Sequence, residues 1–119
     1  MRMTPIDLNF VFDADDLTQS QPVCECGNFN YLMIKTPNFT NAVTTKLQIL
    51  DADGDLVWDM TAALADGAAV VAQVENSVTQ YQFQWPIPLH RKWTVKATLS
   101  GVAGAGGGTV KAIFAVNAS

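Results

Sequence analysis

Apolar and polar residues alternate with a period of two along much of this chain. Ile6, Leu8, Phe10 and Phe12 are interleaved with Asp7, Asn9 and Val11. Thr79, Tyr81, Phe83 and Trp85 are interleaved with Gln80, Gln82 and Gln84. Trp93, Val95, Ala97 and Leu99 alternate with Thr94, Lys96 and Thr98, and Val110, Ala112, Phe114 and Val116 with Lys111, Ile113 and Ala115. Successive strand side chains point to opposite faces, so each run predicts a strand with one face in a core. Val43, Thr45, Leu47 and Ile49 make a further strand. The sequence Asp51-Ala52-Asp53-Gly54-Asp55 then leads to Leu56, Val57 and Trp58. Asp-Gly between two apolar runs marks a hairpin, because glycine accepts the positive φ of such turns.

Other stretches are less regular. Tyr31, Leu32, Met33 and Ile34 are continuously apolar, as in a strand covered on both faces, and Pro37 ends the run. Residues 13–22 are acidic and polar and read as a loop, exposed in the free chain and ordered against a neighbouring subunit. Residues 60–76 read as loop plus a short strand from Ala69 to Val74, with one helical turn conceivable at Ala62 to Ala65. Pro86 and Pro88 are expected to stop the strand that ends at Trp85. The glycine-rich residues 100–108 join the last two strands.

These elements predict an all-β fold, an antiparallel β-sandwich of about seven strands, jelly-roll or immunoglobulin-like, in one domain over residues 1–119. The expected core contains Ile6, Leu8, Phe10, Leu47, Ile49, Phe83, Trp93, Val95 and Phe114.

Composition narrows the partners. The chain is 49% hydrophobic and only 15% charged, with a net charge of −4. Low charge suits a surface partly covered by a partner. No basic face is visible, so direct nucleic-acid binding is not expected. Residues 1–20 lack a signal peptide, since Asp7 and Asn9 interrupt any apolar core. The apolar runs are too short to span a bilayer. The expectation is therefore synthesis in a cytosol, with no membrane role. The Asn38 and Asn117 sequons then read as chance matches.

Candidate chemistry is sparse. Cys24 and Cys26 are too close for an unstrained disulfide, and no second cysteine pair completes a zinc site, so they read as reduced thiols. Asp51, Asp53 and Asp55 occupy the first, third and fifth places of a possible calcium loop. Leu56 and Ala62 stand where that loop needs glycine and a bidentate glutamate. An acidic hairpin turn without calcium dependence is expected. Gly104 and Gly106 to Gly108 precede a strand, not the helix that a phosphate cradle requires, so mobility or close backbone approach to a neighbour is the expected use. His90 is the only histidine and lies among prolines, with no nucleophile-elbow serine. Trp58, Trp85, Trp93, Tyr31 and Tyr81 are expected to pack in the core, although one on an outer face would suit an interface. No cofactor is implied and no enzyme is expected.

Three segments together carry a resemblance. They are Tyr31-Leu32-Met33-Ile34-Lys35-Thr36-Pro37, the hairpin from Leu47 through Asp51-Ala52-Asp53-Gly54-Asp55 to Trp58, and the closing hairpin from Trp93 to Val116 with its Leu99-Ser100-Gly101 step. This order resembles small β-sandwich structural proteins of tailed bacteriophage virions. Leu50 stands where the family usually has serine before the Asp-Gly turn. The resemblance implies a head decoration or other accessory protein, located in the virion and made in the host cytoplasm. It would be a homo-oligomer that binds other virion proteins, such as the major capsid protein, and catalyses nothing. The competing reading is a carbohydrate- or receptor-binding module. An enzyme subunit completed by another chain is a third. The expected contact residues lie in loops at the sandwich ends. They are Pro86, Pro88, His90, Arg91 and Lys92 in one loop, Asp53 in the acidic turn, and Gly104 and Gly106 in the glycine-rich loop.

Overall fold

A computed structural model describes residues 2–60, 69–75, 78–89 and 92–118. Nine strands run through them: β1 (Arg2–Phe12), β2 (Thr18–Val23), β3 (Gly27–Lys35), β4 (Thr45–Leu50), β5 (Leu56–Asp59), β6 (Ala69–Glu75), β7 (Val78–Leu89), β8 (Trp93–Leu99) and β9 (Gly108–Ala118). They form two antiparallel sheets, ordered β1-β9-β3-β7-β6 and β2-β8-β4-β5. The sandwich expectation holds, with nine strands in place of about seven.

The pairs are nested. β4 pairs with β5 across the Asp-Gly turn, β3 with β7, β2 with β8, and β1 with β9. The chain is thus one long antiparallel ribbon folded at residues 51–55 and rolled so that alternate pairs fall in opposite sheets. That is the order of a jelly roll, with β6 added at one edge. It is not the immunoglobulin order, in which strands A, B, E and D share one sheet.

The core lies between the sheets. Leu8, Phe10, Leu47, Ile49, Phe83, Trp93, Val95 and Phe114 are buried as expected, while Ile6 is half-buried at the margin. Phe29 stands at the centre, edge-on to Phe114, Trp58 and Phe83 at centroid distances of 5.0, 5.6 and 5.8 Å. Trp93 meets Phe114 at 5.6 Å and donates its indole N–H to the Glu25 carbonyl at 2.7 Å. Trp58 and Trp93 come from one sheet and the three phenylalanines from the other, so this aromatic group joins the layers.

Several local expectations are overturned. Residues 13–22 are not a loop throughout, because Thr18–Val23 pairs with β8 in continuous register. Its polar sequence suits a sheet edge, where Pro22 gives up no ladder bond. Gln21 turns its side-chain amide onto the Asn9 carbonyl at the open side of β1. Asn9 therefore faces outward from its pairing with β9, and so does Pro5, which shares its parity and has no N–H to leave unpaired. Pro86 and Pro88 do not end a strand either. The β3–β7 register jumps from Tyr31↔Gln82 to Phe29↔Ile87, so Pro86 falls in a bulge. Among the described residues β6 pairs no further than Phe83, so none of them takes up the side of β7 where Pro88 lacks a donor. The strand expected from Ala69 is β6, and the helical turn at Ala62 to Ala65 lies outside the described residues.

The glycine-rich loop is packed. Asn41 N donates to Ala103 O at 3.1 Å, Thr40 Oγ1 to Ala105 O at 2.8 Å and Asn41 Nδ2 to Val102 O at 3.0 Å. Gly107, at φ 57°, lies so close to β1 that a Cβ there would stand 2.0 Å from Phe12 O. Close backbone approach within the chain is thus a reason for glycine at position 107.

Candidate functional site

Of the expected contact residues, His90 and Arg91 lie outside the described residues. Lys92 and Asp53 are exposed, Gly106 has open space around it, and Gly104 is half-buried against Thr40 and Asn41. Pro88 and Lys92 share a small recess of about 40 Å³ with Asp51 and Val57, next to the acidic turn. The glycine-rich loop follows the other end of β8, and so belongs to the opposite end of the molecule. The structure therefore divides these residues between two ends.

The acidic turn is held by its own backbone. Asp51 Oδ1 accepts from Asp53 N and Asp55 N, both at 2.9 Å, and Asp51 O accepts from Gly54 N at 3.1 Å. One ligand oxygen from each of the three aspartates falls within 4.8 Å of the others. Asp51 Oδ1 thus serves as a clasp for the turn. Asp51→Ala should lower unfolding stability by about 1 kcal/mol, the scale of one or two exposed hydrogen bonds. Thermal melts of both proteins with and without chelator check this: the difference should persist, and chelator should move neither curve.

Cys24 and Cys26 are exposed and in no disulfide. Among the described residues no charged or polar side chain is buried. Tyr81 is half-buried, and this burial pushes its phenol above the ordinary value. It borders a groove of about 350 Å³ at the mouth between the sheets, with Thr36, Thr44, Thr45 and Thr79.

A surface not foreseen from sequence lies on the outer face of the five-stranded sheet. The core takes Leu32 and Ile34 from β3, and Val110, Ala112, Phe114 and Val116 from β9. The alternate positions face outward. Register sets Lys35 opposite Lys111, Met33 opposite Ile113, and Tyr31 opposite Ala115. Tyr31 is 43% exposed, and the four apolar residues line a shallow depression of about 320 Å³. The expectation that the 31–34 run is covered on both faces is thus corrected: the core covers one face, and the other is open. The available signal was β9, whose outward phase, Lys111, Ile113 and Ala115, is also mostly apolar. Trp58 and Trp93 pack in the core as expected, the side chain of Trp85 lies outside the described residues, and Tyr31 is the aromatic on an outer face.

No family model matches the chain, and no curated protein matches it. Among solved structures, a complex of an Aeromonas sobria serine protease with the chaperone ORF2 aligns over 100% of this chain and 27% of that one, at 4% identity and a TM-score of 0.35. A likeness at that level carries no argument about fold or function.

Proposed function

We propose that this chain is a non-enzymatic structural protein of a virus particle, a phage capsid decoration or accessory protein that acts through protein–protein contacts. The observation that carries the reading is the open apolar face formed by Tyr31, Met33, Ile113 and Ala115 in a chain with few charges. Apolar residues grouped on one sheet face, with tyrosine among them, are the composition of a contact surface. Jelly rolls occur in viral capsid and lectin domains, which supports the reading by analogy of fold alone. The resemblance to phage virion proteins points the same way.

The test is incorporation into the native particle. Tyr31→Asp combined with Ile113→Asp should reduce incorporation by about tenfold or more while the isolated protein keeps a melting temperature within a few degrees of wild type, since both positions face out of the core. Unchanged incorporation would discard this face as the contact.

The groove beside Tyr81 favours one second reading, a carbohydrate-binding module, because its hydroxyls can meet sugar hydroxyls. A glycan array separates the two: binding that is lost in Tyr81→Ala and untouched by the Tyr31 and Ile113 changes would replace the assembly reading.

A further inference from the structure

We infer that the occupant of the outer face is a second copy of this chain, inserting its 13–17 segment. The inference rests on the assembly reading and gives that face its partner.

The face offers a charge step followed by an apolar one. Lys35 and Lys111 lie opposite each other, with Met33 and Ile113 in the next outward row. Lys111 holds Asp7 at 3.3 Å, whereas Lys35 is exposed and has no ion pair among the described residues. The 13–17 segment offers the complement in the same order. Asp13 and Asp15 are exposed, and Leu17 is 48% exposed, an unusual position for leucine beside three aspartates. Leu17 follows Asp15 by two positions, a reach of at most about 7 Å. Lys35 likewise lies two positions from Met33 along the strand, a rise of about 6.6 Å. One copy's Asp15 can therefore meet Lys35 of the next while its Leu17 enters the depression beyond.

The segment is already held in shape. Asp16 Oδ2 accepts from Asp13 N at 2.9 Å and from Gln19 Nε2 at 3.1 Å. Ala14 O accepts from Gly104 N at 3.1 Å, and Leu17 O from Leu99 N at 2.9 Å. Asp16 is thus spent on the fold, while Asp13 and Asp15 project from a backbone anchored on both sides of them. Such a segment loses little freedom on docking. Because two different surfaces meet, the contact is made twice where two copies exchange segments about a twofold axis, and otherwise repeats around a ring or along an open array.

Sedimentation velocity on the intact chain tests this, with thermal melts to confirm that each variant is folded. Wild type should self-associate, more strongly at low salt than at high. Lys35→Glu alone, and Asp13→Lys with Asp15→Lys, should each weaken association by about tenfold or more. An equimolar mixture of the two variants should regain association, because the unaltered segment of the first meets the unaltered face of the second. Folded variants that associate as well as wild type, or a mixture that stays as weak as its components, would overturn the inference. So would a wild-type chain that remains monomeric at low salt. The assembly reading survives any of those results if the Tyr31 and Ile113 changes still block incorporation into particles, and falls separately if they do not.

Discussion

Phe29→Ala is expected to lower unfolding stability by about 4 kcal/mol, the scale of large-to-small changes at aromatic core positions. Phe29 is fully buried and lies edge-on to Trp58, Phe83 and Phe114. Its removal takes away the transfer free energy of the ring. It also removes three edge-to-face contacts, each worth about 0.5–1.5 kcal/mol beyond burial. The neighbours cannot readily close the gap, because they come from both sheets and each is fixed by its own strand. Domains of this size are commonly stable by about 5–15 kcal/mol, so the loss is a large part of the whole. Urea denaturation monitored by tryptophan fluorescence measures it. A fall of less than about 2 kcal/mol would mean that the two sheets close over the cavity.

Gly107→Ala is expected to cost about 3 kcal/mol or more, although it adds a single methyl group at the surface end of the sandwich. The added Cβ would stand 2.0 Å from Phe12 O and 3.0 Å from Asp13 Cα, and both are backbone atoms that cannot rotate away. Relief requires the start of β9 to separate from the end of β1, where Phe12 pairs with Gly108. Gly106→Ala is the control. Gly106 has a similar positive φ of 84° but nothing within 4 Å of the new atom. It should lose only the left-handed backbone penalty of about 1–2 kcal/mol. Equal losses in the two variants would show that φ alone, and not the approach to β1, makes glycine necessary at position 107.

The strands that alternate cleanly were legible because one of their faces is core. Trp93, Val95, Ala97 and Leu99 are all buried, with half-buried Thr94, Lys96 and Thr98 between them. The Asp-Gly turn was legible because its chemistry is local. β2 was not, since an edge strand rich in glutamine carries no apolar period. Nor was the passage of β7 through two prolines, which depends on where β3 and β6 leave it unpaired. The outer face escaped for a related reason. A run such as Tyr31 to Ile34 reads the same whether its second face is covered or open, and only the register with β9 shows Met33 beside Ile113 and Tyr31 beside Ala115. In the glycine-rich loop, the carbonyls of Val102 and Ala105 accept from the side chains of Asn41 and Thr40, long-range bonds that no local sequence pattern announces.

The nested pairing also sets an order of events in time. β9 is the last strand in the chain, yet it lies between β1 and β3. During synthesis β1, β2 and β3 all emerge before the strand that joins two of them. Until Gly108–Ala118 has been made, β1 has no sheet neighbour and β3 lacks one of its two. Phe10 and Phe12, fully packed in the finished protein, wait meanwhile on an unpaired segment. Closing β1 onto β9 spans almost the whole chain, the kind of distant pairing that slows folding and leaves apolar strands open to aggregation. The five-stranded sheet is therefore completed only once Gly108–Ala118 has been made, and β1 and β3 are the strands of the nascent chain most in need of protection until then.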